Sequence, residues 1–263
     1  MKRNKIWELI CMILFMLGLF IFYYPNIREH YVNQKMEDTA QEFLERVTEP
    51  SESPTEESAE PFIPEEEATK STEFVPSRYE DLWNDMTKYN QKIWSQRQTG
   101  LCDPWSYKDP SFCLADYGME EEVFGVLMIP RLELKMPVYL GATWQHMADG
   151  AAQLSQTSLP IGGENTNCVI AGHRGWRCYS YFKYLDRLET GDEVILQNPW
   201  QELRYRVKEI QIIDPDDVEA VRIRKGEDLL TLLTCHPYAS GGKQRYLVIC
   251  ERANLSEREE IQQ

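Results

Sequence analysis

Hydrophobic positions divide the chain into an apolar N-terminal run, a polar middle and a long C-terminal part made of short apolar stretches. The stretches after residue 120 are β-branched or alternate between apolar and polar residues, which is typical of strands. We predict strands at 123–129, 132–140, 168–171, 193–197, 203–213, 229–235 and 246–251. Helical spacing intervenes only at about 143–154 and 179–188. Strands and helices therefore do not alternate regularly along the chain. This favours a mainly β fold, a barrel with short helices, over a doubly wound sheet.

The N-terminal apolar run, residues 9–24, carries no charged side chain and follows a basic start. With residues 6–8 it approaches the roughly 20 residues that span a bilayer. A cleaved signal peptide would be shorter and would end in small residues, whereas this run ends in bulky aromatic ones. We therefore predict an uncleaved, single-pass plasma-membrane anchor within residues 1–24, with the N-terminus in the cytoplasm and the rest of the chain outside the cell.

The polar middle of the chain is rich in Glu, Pro and Ser at residues 49–73, after a short helix-like stretch at 31–47. Such a composition cannot bury enough apolar surface to fold. We predict a solvated acidic stalk over residues 25–76 and a polar tail at 254–263. The folded domain then occupies residues 77–253.

An amphipathic helix is expected to open this domain. Its apolar side chains recur at helical spacing, at Leu82, Met86, Tyr89 and Ile93. Ser77 and Glu80 match the spacing of a capping box, which predicts that Ser77 caps the helix.

The charge and the amino-acid composition of the chain limit the classes of partner that it can bind. The 263 residues contain 28 Lys and Arg against 43 Asp and Glu, a net charge of -15, which argues against binding to nucleic acid. A hydrophobic content of 42% is enough for one sizeable core or two small ones. The cysteines and histidines show no zinc-site spacing, so we predict no structural metal.

Three polar residues lie where predicted strands begin or end. His173 follows the apolar strand 168–171, Cys235 ends the strand 229–235, and Arg245 opens the last strand. If the last two strands pair as a hairpin, the thiol and the guanidinium face one another. A nucleophilic thiol needs a proton acceptor or a nearby cation, and acyl transfer needs a donor for the developing oxyanion. The three residues could supply these functions.

Motifs around these residues resemble one family. The sequence T-L-L-T-C at 231–235 resembles the T-L-x-T-C signature of the sortases, the membrane-anchored cysteine transpeptidases of Gram-positive bacteria, and V-I-A-G-H-R-G at 169–175 resembles their histidine segment. Residues 124–130 with 136–139 resemble the strands that open the sortase barrel. Residues 158–163 resemble the segment before the histidine.

The resemblance implies a closed β-barrel of about eight strands with short helices and an N-terminal helical extension. By position, Cys235 would be the nucleophile, His173 the general acid and base, and Arg245 the oxyanion and substrate-positioning residue, while Thr234 would line the substrate site. The family cleaves an L-P-x-T-G-like sorting signal and passes the acyl group to an amine, either a pilin lysine or a cell-wall peptide. Its partners are surface proteins or pilins that carry the signal. No cofactor is implied.

The resemblance covers about residues 77–253 and extends to class C, the pilus-assembling sortases. Asp103-Pro104-Trp105 resembles the D-P-F/W motif of their lid, here about residues 98–118. In that class Asp103 would pair with the catalytic arginine, and Trp105 would cover the nucleophile. The chain departs from the family at 241–244, which reads G-G-K-Q instead of the usual N-T-H, and it lacks the hydrophobic C-terminal tail frequent in class C.

The other cysteines and the second histidine near the site have less specific interpretations. Cys102 and Cys113 flank the lid and either form a disulfide or stay free thiols. His236 is interpreted as a loop or surface residue, because neighbours along a strand point to opposite faces. Reduced packing residues are predicted in or beside apolar segments, at Cys168, Cys178 and Cys250.

Alternative functions remain open. A papain-like peptidase usually carries its cysteine before its histidine, the reverse of the order here, and the S-H-G-C motif of L,D-transpeptidases is absent. A cell-wall cysteine peptidase of another family is therefore disfavoured. The main alternative is a non-catalytic stalked surface binding module in which Cys235 is structural, since a fold alone does not confer activity.

Overall fold

The computed structural model describes residues 2–48, 78–101, 110–175 and 180–253. Several sequence predictions fall outside these described residues. They concern the acidic segment 49–73, the polar tail, the lid residues Asp103 and Trp105, the capping residue Ser77, and Cys102 and Cys178.

The described residues form eight strands that close into one barrel, which confirms the predicted fold class. Around the barrel the order is β1-β2-β3-β4-β7-β8-β6-β5. The strands are β1 Val123–Ile129, β2 Leu134–Leu140, β3 Ala151–Gln153, β4 Thr166–Ala171, β5 Glu193–Gln197, β6 Glu202–Ile213, β7 Asp228–His236 and β8 Gln244–Arg252.

Two of the strand pairs are parallel, β2 with β3 and β4 with β7, whereas the remaining pairs are antiparallel. The parallel pairing of β4 and β7 is the important one for function. It places the C-terminal ends of both strands at the same end of the barrel. The β7–β8 hairpin turns back at that same end.

The described residues form three apolar clusters, of which the third includes Leu82 and Met86, and alternate positions along the strands supply most of the first two. Leu203, Tyr205 and Val207 of β6 are buried in the first cluster, while Arg204 and Arg206 between them are only half-buried, so the first cluster fills the barrel interior. The second cluster lies on the outer face of the other strands. It includes two residues from each strand that begins or ends near the candidate site, namely Val169 and Ala171 of β4, Leu229 and Leu233 of β7, and Leu247 and Ile249 of β8.

Three α-helices surround the barrel in the described residues, α1 Lys2–Thr48, α2 Glu80–Ser95 and α3 Trp144–Asp149. Short 3₁₀ helices occur at Leu114–Tyr117, Pro130–Leu132, Leu185–Arg187 and Glu219–Val221. Among the described residues, no helix combines the length and the apolar character that crossing a membrane requires. The span predicted within residues 1–24 is therefore not confirmed.

The C-terminal half of α1 packs against the barrel. Ala40 and Phe43 are buried in the outer cluster, Met36 is buried against the first cluster, and Asn33 exchanges hydrogen bonds with Ser180. The predicted boundary of a stalk over residues 25–76 therefore needs correction. This helix segment belongs to the folded unit, because its apolar face is covered by the strands.

Local predictions succeed for the long strands and fail for shorter elements. Helix α2 is present, but it begins at Glu80 after Tyr79, which has φ 55° and makes no side-chain cap. The helix predicted at 143–154 ends at Asp149, and β3 follows. Gly150 makes this turn possible, because a Cβ there would lie 2.6 Å from the Pro137 carbonyl oxygen. The helix predicted at 179–188 is replaced, over its described part, by turns and a 3₁₀ helix.

Candidate active site

The β7–β8 hairpin brings the predicted nucleophile and the predicted oxyanion donor together. Cys235 is the register partner of Arg245 across the two antiparallel strands. Residues directly opposite in an antiparallel pair point to the same face. The loop confirms this closeness, because a Cβ placed on Gly242 would lie 3.2 Å from both Cys235 Sγ and Arg245 Nη1.

His173 reaches the same place from the neighbouring strand. Parallel register pairs Ala171 of β4 with Leu233 of β7, and the Gly172 amide donates to the Leu233 carbonyl at 3.1 Å. Continued by two residues, this register sets His173 beside Cys235. The barrel topology therefore brings together the three residues that the sequence singled out as candidates.

Contacts on its other side hold the His173 segment in position. The imidazole packs edge-on against Tyr181 with ring centroids 5.6 Å apart, and the His173 carbonyl accepts from the Phe182 amide at 3.0 Å. Only glycine fits at position 172, since a Cβ there would lie 2.7 Å from the Phe182 ring. Phe182 thus fixes the path of the backbone that presents the imidazole.

Thr234 does not line the substrate site, which corrects the prediction. Its side chain is 0% exposed, and its hydroxyl donates to the Gly172 carbonyl at 2.7 Å. Alternation along β7 explains this position, because the neighbour of Cys235 must face the opposite side of the sheet. Thr234 ties the nucleophile strand to the histidine segment instead.

Burial governs the protonation of the two reacting groups. Burial raises the pKa of the Cys235 thiol, and the positive charges of Arg245 and Arg174 offset part of that rise. Burial lowers the pKa of His173. At neutral pH the resting site therefore holds a neutral thiol beside a neutral imidazole.

Sequence reasoning missed a group of polar side chains behind the nucleophile. Arg174 is only 7% exposed and contacts Asp186, while His236 contacts both Arg174 and the ring of Tyr246. His236 is predicted to be a loop or surface residue, but it ends β7 and is half-buried; its contacts agree with the alternation of faces along the strand. The signal in the sequence was a charged residue directly after His173, but no pattern indicated its partners.

The remaining cysteines differ clearly from Cys235. Cys168 and Cys250 are buried in the barrel core, and burial raises the pKa of both thiols far above the ordinary range. Their predicted role as packing residues is confirmed. Cys113 carries an exposed free thiol. Within the described ranges, no group of three or more His, Cys, Asp or Glu residues could hold a metal ion.

A large cavity lies at the other end of the barrel. It encloses about 610 Å³ between α2 and the start of β4 and β7, and its lining includes Trp83, Thr166, Asp228 and Arg252. Because Thr166 and Asp228 begin the strands that end beside the nucleophile, the cavity is separated from Cys235 by the length of β7. Cavity size therefore does not identify the reactive site in this fold.

Comparison with known proteins agrees with this geometry. The family described as Sortase domain matches residues 127–253. Sortase A of Bacillus anthracis is 30% identical over 129 residues, which cover 49% of this chain and 59% of that protein. Among the curated relatives that it matches, the chain spans 47% to 59% of the relative's length.

Solved structures extend the match to the barrel as a whole. Sortase C1 of Streptococcus agalactiae is 32% identical with a TM-score of 0.62, and the match covers 67% of this chain and 90% of that one. A lid mutant of the same Streptococcus agalactiae enzyme is 30% identical with a TM-score of 0.59, covering 68% and 91%. The chain belongs to the sortase family, and class C pilus sortases are among its structural neighbours.

Proposed function

We propose that this chain is a cysteine transpeptidase that cleaves an L-P-x-T-G-like sorting signal and joins the acyl group to an amine. The observation that carries the proposal is the placement of Cys235 opposite Arg245, with His173 two residues beyond the end of the parallel strand β4. A thiol, a base and a planar donor at one strand end are the groups that acyl transfer through a thioester requires. Membership of the sortase family supports the same reaction.

In the first half-reaction, His173 takes the Cys235 proton as Sγ attacks the carbonyl carbon of the threonine in the signal. The carbonyl π electrons move to oxygen, and the Arg245 guanidinium stabilises that oxyanion. Collapse of the intermediate breaks the C–N bond, and the His173 imidazolium protonates the departing glycine amine. The product is a thioester between Cys235 and the threonine carbonyl.

In the second half-reaction, an amine attacks the thioester. His173 accepts a proton from the attacking nitrogen, Arg245 again holds the oxyanion, and Cys235 Sγ leaves as the C–S bond breaks. A new amide results, and the proton on His173 returns to the thiolate. With water in place of the amine, the same steps give hydrolysis.

The orientation of Arg245 supports its role. Its Nη1 donates to the Gly242 carbonyl at 2.6 Å and to the Gln244 carbonyl at 3.2 Å. These bonds from the turn of its own hairpin fix the guanidinium plane against the Cys235 side. A fixed donor stabilises charge that develops in the transition state without a cost of reorganisation.

We propose a pilin lysine as the accepting amine, with a cell-wall peptide as the competing acceptor. The structural neighbours support the pilin, because they include two sortases of a group B Streptococcus pilus island and one pilus-related sortase C. The G-G-K-Q sequence at 241–244 distinguishes this chain from the usual class C pattern. The acceptor is therefore tested separately from the cleavage step.

A lid over the site is proposed for residues 98–118, with Asp103 and Trp105 at its centre. Both ends of the undescribed part of this segment contact the barrel. Leu101 packs on the outer apolar cluster, and Pro110 lies against Gly141 at the end of β2. The related Streptococcus agalactiae sortase C1 carries a lid, of which a mutant has been solved. Replacing Asp103 and Trp105 by Ala should therefore speed alkylation of Cys235.

We also propose that α1 anchors the enzyme at the outside of the plasma membrane. The support is the uncharged run 9–24, in which the large apolar side chains that the structure describes are mostly exposed, among them Phe15, Ile21 and Phe22. Cell fractionation of the full chain and of a chain lacking 1–24 tests this. Equal release of both into the medium would contradict the anchor.

Mass spectrometry of the full chain in detergent tests the reaction itself. The chain is incubated with sorting-signal peptides and with either lysine-bearing pilin peptides or cell-wall peptides as acceptors. We expect a thioester on the Cys235 peptide and one joined product, both lost in Cys235→Ala and in His173→Ala but retained in Cys168→Ala. A chain with no thioester and uniformly slow thiol labelling would be a binding module instead.

A further inference from the structure

Arg174 is buried directly behind Cys235, and none of the steps of the proposed reaction uses it. Its Nη2 donates to Asp186 Oδ2 at 2.6 Å, and its Nη1 donates to His236 Nδ1 at 2.8 Å. The same Nη1 lies 3.4 Å from the Cys235 carbonyl oxygen. One planar guanidinium therefore joins the loop after β4, the 3₁₀ helix Leu185–Arg187 and the end of β7.

Two aromatic rings complete this arrangement. The Arg174 guanidinium lies over the Tyr246 ring, with Cζ 5.5 Å from its centroid, and the His236 ring stacks on Tyr246 at 5.7 Å. His236 directly follows Cys235 along β7, and Tyr246 directly follows Arg245 along β8. They therefore occupy the face opposite to Cys235 and Arg245.

A buried arginine needs a reason, because removing a charge from water costs several kcal/mol unless its hydrogen bonds are satisfied. The anionic partner of Arg174, Asp186, sits at the solvent edge with its side chain 48% exposed. The other edge of the guanidinium points toward the Cys235 backbone. The positive charge thus lies against the Cys235 backbone, while its neutralising carboxylate faces water.

We propose that Arg174 is a positioning residue that fixes the end of β7 from behind and supplies a second positive charge to the Cys235 site. This inference rests on the proposed function, because it assigns Arg174 a part in the same reaction. Arg245 acts on the substrate side of the strand end, and Arg174 acts through the backbone on the other side. His173 and Arg174 are neighbours in the chain but lie on opposite sides of the end of β7. His173 acts on the thiol side of Cys235, and Arg174 acts on the other side.

The test measures the rate of Cys235 alkylation by iodoacetamide against pH in the full chain, with Cys113 replaced by Ser to leave fewer exposed thiols. Arg174→Gln should move the midpoint upward by about one pH unit, the size expected for the loss of one nearby cation. Arg174→Lys keeps the charge but not the three-way contact, so the midpoint should move less while kcat falls and KM changes little. In both Arg174 variants the other titratable or charged groups that face the thiol or the guanidinium are left unsubstituted. These groups are His173, Asp186, His236, Arg245 and Tyr246.

Arg187→Gln is the matched control, because its exposed guanidinium stacks on Tyr184 and takes no part in the site. Thermal unfolding of each variant shows whether it is folded. A midpoint for folded Arg174→Gln equal to that of Arg187→Gln would overturn the proposal. If Arg174→Gln does not fold, an unchanged kcat/KM in both Arg174→Lys and Asp186→Asn would overturn it. Alkylation needs no peptide, so a chain that turned over no sorting signal would still reveal the shift.

Discussion

Cys235 and Arg245 face each other as register partners on the antiparallel strands β7 and β8. Only one further pair, His236 and Gln244, separates them from the hairpin turn. This pairing sets the distance between thiol and guanidinium through backbone hydrogen bonds and not through a flexible loop. In the proposed reaction, a substrate carbonyl attacked by Sγ would therefore meet a donor whose position is already determined. The pairing also explains why small changes at the turn should alter activity strongly.

Replacing Arg245 with lysine should remove most of the activity. Lysine keeps the positive charge but cannot offer a planar set of donors that bonds the Gly242 carbonyl and an oxyanion together. We expect kcat/KM to fall about 100-fold, on the order of 3 kcal/mol of transition-state stabilisation. Steady-state cleavage of a sorting-signal peptide measures this, with the exposed Lys243→Ala as the control. Full activity in Arg245→Lys would remove its assigned role.

Gly242 and Gly241 form a matched pair for testing the space beside the nucleophile. Both have positive φ, 76° and 75°, so alanine strains the backbone equally at either position. A Cβ at Gly242 meets Sγ and Nη1, whereas a Cβ at Gly241 meets nothing within 4 Å. We therefore expect Gly242→Ala to lower both turnover and Cys235 alkylation at least tenfold relative to Gly241→Ala. Equal rates in the two variants would show that substrate does not enter beside Gly242.

The pH dependence should be that of a neutral resting pair. The raised pKa of Cys235 means that the thiolate fraction increases only as pH approaches and passes the ordinary value for a thiol. The lowered pKa of His173 means that its protonated form disappears as pH rises through a value below 6.5. Turnover should therefore show a broad plateau between an acid limb below that value and an alkaline limb near or above the thiol value.

Alkylation of free enzyme against pH separates the thiol from the histidine. Its rate should still be rising at pH 8 in wild type. A midpoint well below 8 would indicate a resting thiolate–imidazolium pair and would contradict the neutral pair.

The C-terminal half of α1 should contribute to the stability of the barrel. Phe43 is 2% exposed within the outer apolar cluster. Its replacement by alanine leaves a cavity and should cost about 3 to 5 kcal/mol of unfolding free energy. Chemical denaturation measures the change, with the exposed neighbour Glu42→Ala as the control. Equal stability of the two variants would mean that α1 is only loosely attached.

The strands were predictable where alternation is long and regular. β1 and β5 begin and end at the predicted residues, because buried and half-buried positions alternate or stay apolar between clear turn signals. β3 was missed, since Ala151–Gln153 is too short to show a period and its small residues suit a helix equally well. The sequence around 179–188 suggested a helix because its aromatic residues recur at helical spacing. Tyr181 and Phe182 instead pack into the core from turns.

The sequence by itself determined the class of protein and singled out Cys235, His173 and Arg245 as the candidate reacting residues. This was possible because the candidate nucleophile, base and oxyanion donor each lie at the end of a strand, within a motif formed by a continuous stretch of residues. Only the tertiary structure decided that Thr234 faces inward, that α1 covers the barrel and that Arg174 lies behind Cys235. Each of these depends on contacts between segments far apart in the chain, such as Arg174 with Cys235 and Phe43 with the outer cluster. Local periodicity carries no information about which distant surface a side chain will meet, so that information appears only when the barrel closes.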